Sequence, residues 1–106
     1  MALGLKNLFA NLAPGNNAEE FLTLFESSTV KIERVVSRSQ ISPPGFWYDQ
    51  AEDEWVIVLR GDATLELDNG ELVEMSAGDY LTIPRHVKHR VARTSEETIW
   101  LAVHVK

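Results

Sequence analysis

Cysteine is missing from all 106 residues, which removes disulfides, thiolate zinc sites and cysteine nucleophiles together. Long apolar runs are missing too: none approaches the roughly 20 residues that cross a bilayer as a helix. Basic charge is scarce, with ten Lys and Arg against sixteen Asp and Glu and a net charge of −6. Long-range repulsion therefore opposes binding to a phosphate backbone, and neither a nucleic-acid nor a membrane partner is expected. Only Lys6 is basic among the first twelve residues, and Asn7 and Asn11 interrupt their apolar positions. A secretory leader reads differently; the expected location is cytoplasmic, where a chain without disulfides is at home. The chain also lacks a recognisable nucleophile triad, a phosphate-cradling glycine loop and paired catalytic carboxylates. Gly4, Gly15 and Gly45 stand alone as turn residues.

What is present suits one domain, since a chain of this length buries about two-thirds of its unfolded surface. Leu5, Leu8, Phe9 and Leu12 recur at helical spacing and Pro14-Gly15 would end that helix. Asn17, with Glu20 three residues on, resembles a capping box for a second helix whose apolar face is Phe21, Leu24 and Phe25. The expectation is a helical segment over residues 1–28, packed outside a β-barrel over residues 29–106. From Val30 the period changes to two, with reversals every eight to ten residues. Strands are predicted at Val30 to Ser37, Phe46 to Asp49, Glu54 to Arg60, Ala63 to Leu67, Glu71 to Met75, Tyr80 to Ile83, His89 to Thr94 and Thr98 to Val105. Asn69-Gly70 predicts a type I′ hairpin, a turn that needs positive φ at both central residues. Strands in series with no helix between them predict an all-β antiparallel sandwich or jelly roll.

Two segments carry the spacing of a known pattern. Glu54, six residues and Gly61 match the second half of one motif, and Gly78, Pro84 and His89 fall in place in another. In this layout the chain resembles a cupin, over roughly Val30 to Val105. Tyr48 and Gln50 stand where that family usually has two histidines, His86 where it has a glycine, and Arg93 where it has an asparagine. Phe46 to Gln50, Glu54 to Val56, His89 to Val91 and Ile99 to His104 further resemble a group of small single-domain bacterial cupins. The resemblance implies a jelly-roll barrel, frequently dimeric, with a divalent-metal site inside.

Strand alternation puts Tyr48 and Gln50 on one face, joined by Glu54 if Ala51 to Asp53 preserves the parity. A carboxylate buried there needs a partner. One solution, which the resemblance implies, is a transition metal held by Gln50, Glu54 and His89 with Tyr48 or His86 as fourth ligand, in a mixed O/N set suited to Fe(II), Mn(II), Ni(II) or Zn(II). The other is a hydrogen-bonded Glu54, satisfied by Tyr48, Gln50 or Arg93 without metal. His89, Val91 and Arg93 alternate onto one strand face, and Arg93 offers a fork for a carboxylate or phosphate. Tyr48, His86 and Arg93 are thus the expected contacts of a small anionic ligand. Arg85 and Lys88 are read as solvated, and His104 as a core or rim residue. Trp55, Ile57 and Leu59 face away from Glu54 and are expected to pack on the N-terminal helices or a second subunit of a homodimer. Two functions remain open: a metal-dependent oxygenase or isomerase acting on a small carboxylate or carbonyl compound, or a small-molecule binding or sensor protein without catalysis.

Overall fold

The computed structural model describes residues 3–12 and 18–106. Its strands are β1 Glu20–Glu26, β2 Val30–Ser37, β3 Asp53–Arg60, β4 Asp62–Leu67, β5 Leu72–Ser76, β6 Tyr80–Ile83, β7 His89–Thr94 and β8 Thr98–Val105. They form a five-stranded sheet in the order β1-β2-β8-β3-β6 and a three-stranded sheet in the order β5-β4-β7. All pairings are antiparallel. Between the sheets Val56, Val58, Leu65, Met75, Ile83 and Trp100 form the buried core. This is the jelly roll expected from the period-two series, because strands with one apolar face must bury it against a second sheet.

The N-terminal helices are a correction. Residues 20–26 form β1, a strand paired with β2 from Glu20↔Val36 to Glu26↔Lys31, with a bulge between Thr23 and Phe25. Phe21, Leu24 and Phe25 do match helical spacing, but Phe and Thr also suit strands, and the open edge of β2 supplies backbone partners that a lone amphipathic helix would not need. Residues 3–12 hold no helix either; a turn is closed by the Ala10 N–H donating to the Asn7 carbonyl at 3.1 Å. The expected stop at Pro14-Gly15 and the Asn17 cap lie outside the described residues. Arg34, only 3% exposed, ties the first segment down by donating to the Leu8 and Ala10 carbonyls at 2.9 and 2.8 Å. A buried guanidinium is tolerable because those carbonyls and Glu20, at 3.8 Å, answer its charge.

Two turns differ in an informative way. At Asn69-Gly70 only Gly70 has positive φ, at 89°. The Gly70 N–H bonds to the Leu67 carbonyl at 2.9 Å and the Leu67 N–H to the Glu71 carbonyl at 2.9 Å. The connection is therefore a three-residue loop ending in a left-handed glycine rather than a type I′ turn. Gly61, at φ 80°, lies between β3 and β4 where the chain passes from one sheet to the other. A Cβ there would sit 2.4 Å from the Glu97 carbonyl oxygen and 2.5 Å from Ser95 Oγ. Phe46–Asp49, expected as a strand, contributes only a single bridge between Tyr48 and His89.

Candidate functional site

A cavity of about 110 Å³ lies between the sheets. Tyr48, Gln50, Glu54 and His89 all line it, so the structure brings these four predicted residues together. Tyr48 arrives from the loop before β3. Its N–H and carbonyl exchange bonds with those of His89 at 2.7 and 3.1 Å, and its ring stacks on the His89 imidazole with centroids 5.4 Å apart. Glu54 lies near the start of β3, opposite Ile83 on one side and His104 on the other.

His89 has a defined hydrogen-bonding state. Its Nδ1 lies 2.9 Å from the Val87 carbonyl oxygen, which can only accept, so Nδ1 carries the proton. In the neutral ring Nε2 is then an acceptor, and it lies 4.0 Å from Glu54 Oε1. Both side chains are deeply placed, 6% and 13% exposed. Burial pushes the Glu54 carboxyl above the usual carboxylate range, while the charges of His104 and His89 and a hydrogen bond from Gln50 work the other way. Burial also raises the Tyr48 hydroxyl, helped by the charges of Glu19, Glu54 and Glu33.

Three lining residues escaped the sequence reading. Glu33 of β2 accepts from, or pairs with, His104 Nε2 at 3.1 Å. Glu19, raised by burial, takes a bond from Ser37 Oγ at 3.3 Å. Trp100 lines the cavity and donates its indole N–H to Ser37 at 3.2 Å. The available signal was alternation: Glu33, Val35 and Ser37 share one face of β2, as Trp100, Ala102 and His104 share one face of β8.

His86 and Arg93 do not line the cavity. His86 is 66% exposed and binds Asp49 Oδ1 through Nδ1 at 2.8 Å. Its φ of 62° explains the glycine that cupins have at this place: the turn after Pro84 needs a left-handed residue, which directs the side chain to the rim. Arg93 is 53% exposed and pairs with Asp62 at 2.7 Å. Alternation from His89 and Val91 would have pointed it inward, but Leu65 pairs with Val91 while Thr64 pairs with Arg93, so a bulge at Ala92 reverses the parity and buries Thr94 instead. Arg90 is held by Glu66 at 3.1 Å and the Ser42 carbonyl at 2.7 Å, and Arg85 by Asp53 at 3.5 Å.

The residues of the metal set implied by the resemblance are not arranged as a tetrahedral site. A hydrogen bond from the Gln50 side chain to the Glu54 carboxylate must come from its amide N–H, and the Gln50 oxygen is buried without a partner. Glu54 Oε1 and His89 Nε2 are 4.0 Å apart, whereas tetrahedral ligands at bonds of about 2.0–2.1 Å lie roughly 3.3 Å from each other. Among the described residues no three His, Cys, Asp or Glu side chains converge as a metal site.

Comparison with known proteins supports the architecture. The sequence profile of the cupin domain matches residues 39–104. A structure from Ralstonia eutropha JMP134, provisionally named a mannose-6-phosphate isomerase, is 47% identical over 96% of this chain and 97% of that one, with a TM-score of 0.90. A conserved protein of unknown function from Streptococcus pyogenes is 19% identical over 100% of this chain and 90% of that one, at TM-score 0.79. A cupin superfamily protein from Desulfitobacterium hafniense DCB-2 is 17% identical over 89% and 83%, at 0.76; these last two share the fold alone. No curated protein matches the sequence. With its motif spacing, its two-sheeted barrel and near-half identity to a relative of almost equal length, the chain belongs to the cupin family.

Proposed function

We propose that the protein binds a small organic molecule inside the barrel by hydrogen bonds, on a wall made by Tyr48, Gln50, Glu54, His89 and His104, without a resident divalent metal. The observation that carries this reading is the Gln50–Glu54–His89 arrangement. Two residues at the family's histidine positions have become hydrogen-bonding groups, one of which donates to the carboxylate that a metal would need. The cavity is partly open to solvent and combines aromatic walls with a few convergent polar groups, the usual make-up of a ligand site. A sugar phosphate, as the name of the Ralstonia relative would suggest, finds no Arg or Lys among the described lining residues. The anionic ligand expected from Arg93 loses its support for the same reason.

The molecule acts in this reading as a homodimer. Among the described residues β1 is the end strand of its sheet, and Phe21, Leu22, Leu24 and Phe25 on it are exposed. Such an edge pairs readily with another copy.

Native mass spectrometry of protein purified without a chelator tests the ligand reading, followed by thermal melting of the parent, Glu54→Ala and His89→Ala with any molecule it retains. A ligand of the folded state at a hundredfold excess over Kd stabilises by about 2.7 kcal/mol. That shift is expected in the parent and should be lost in both variants. Equal binding by parent and both variants would remove the site, and a stoichiometric transition metal in the parent would restore the metal reading.

A further inference from the structure

We infer that the ligand of this pocket is a small organic ammonium ion, a primary amine carried in its protonated form. The inference rests on the barrel-binding reading above and names the chemical class that fits it. Among the described residues the lining contains the carboxylates of Glu19, Glu33 and Glu54, the imidazoles of His89 and His104, and no Arg or Lys. With the three carboxyls ionised, a negative charge is left over even if both imidazoles are protonated. An anion would add to it in a buried space where charge interactions are little screened.

Hydrogen-bonding capacity points the same way. Carboxylates only accept. His89 has its one neutral-state proton committed to the Val87 carbonyl, so its Nε2 accepts. Gln50 Oε1 is a buried acceptor for which the structure supplies no donor. Against these acceptors the Tyr48 hydroxyl and the Gln50 amide are the donors of the wall, so acceptors are in excess, and an ammonium group is the complement, with three donors and no acceptor. Spacing separates this cation from a metal ion. Charge-assisted N–H···O bonds of about 2.8 Å bridge a 4.0 Å gap such as Glu54 Oε1 to His89 Nε2 at an angle near 90°, whereas bonds of about 2.1 Å would have to open far beyond the tetrahedral angle. Tyr48, Phe21 and Trp100 add aromatic lining, which favours organic cations over hydrated inorganic ones.

A charge series of matched size tests the inference on the full chain with no mutation required. Propylammonium, n-propanol and propionate are added as separate probes near neutral pH, with sodium chloride holding ionic strength constant, and the melting temperature is followed. Propylammonium is expected to raise it in a saturable way, with propanol and propionate at the salt baseline. Glu54→Gln, which keeps size and hydrogen-bonding shape, should weaken the propylammonium effect at least tenfold in half-saturating concentration. Stabilisation by propionate or propanol in preference to propylammonium overturns the ammonium assignment; if Glu54→Ala and His89→Ala abolish that stabilisation, the barrel site itself survives. No shift with propylammonium, or an unchanged half-saturation in Glu54→Gln, also overturns the assignment. Only equal binding of a retained molecule by parent, Glu54→Ala and His89→Ala removes the site as well.

Discussion

Replacing Gly61 by alanine should destabilise this protein far more than the same change at Gly70, although both glycines have positive φ, 80° and 89°. The backbone term is shared: an L-residue in the left-handed region costs roughly 1–2 kcal/mol. At Gly70 nothing lies within 4 Å of the added methyl group, so that term stands alone. At Gly61 the methyl would lie 2.4 Å from the Glu97 carbonyl oxygen, 2.5 Å from Ser95 Oγ and 3.1 Å from the Thr98 Cα. Ser95 cannot simply rotate away, because its hydroxyl is bonded to Thr98 Oγ1 at 2.6 Å and accepts from the Asp62 N–H at 3.2 Å. The backbone of the β7–β8 connection must move, and overpacking of this kind adds about 1–3 kcal/mol. Gly61→Ala is therefore expected to cost about 2–5 kcal/mol against about 1–2 for Gly70→Ala. At about 4–8 °C per kcal/mol for a domain of this size, the extra ~1–3 kcal/mol of overpacking should separate the two melting temperatures by roughly 4–24 °C in thermal denaturation followed by circular dichroism. Equal losses in the two variants would refute the packing argument and leave the motif glycine explained by φ alone.

Two further outcomes are expected. Burial raises the Glu54 carboxyl, so the fold binds that proton more tightly than the unfolded chain does; the associated stability is complete below the unfolded pKa and is lost as pH rises through the folded one. The melting temperature of Glu54→Gln relative to the parent should accordingly climb as pH rises above the ordinary Glu range of about 4, and parallel profiles would contradict the assignment of Glu54 to a desolvated site. In the second, light scattering should find the parent at twice 11.9 kDa and Phe25→Lys, with its charge on the exposed β1 edge, at the single-chain mass; a parent of 11.9 kDa would dismiss the dimer.

Strand positions were legible from the chain because alternation and turn residues are local. β2, β6, β7 and β8 fall where the period-two runs begin and end. Glu54 and His89 were placed by their positions in the family motifs, and both line the cavity; pairing is regular around each of them, the register shifts of β3 and β7 falling further along at Val58/Arg60 and opposite Thr64/Leu65. Arg93 shows where that reasoning stops. One extra residue at Ala92 turns its side chain out to Asp62, and a bulge is a property of the pairing of two strands rather than of either alone.

The sequence by itself determined the all-β class, the spacing of the motifs, the loss of the family's histidines at Tyr48 and Gln50, and the need of a buried Glu54 for partners. Tertiary structure alone decided what those partners are. Residues 20–26 carry a helical spacing and a strand composition at once, and the open edge of β2 settled them as β1. Glu33 and Glu19 lie far along the chain from Glu54, yet sheet closure sets all three carboxylates around one cavity with His89 and His104. Local patterns report which face a side chain takes; only the packing of two sheets fixes which faces meet, and with them the charge of the space enclosed.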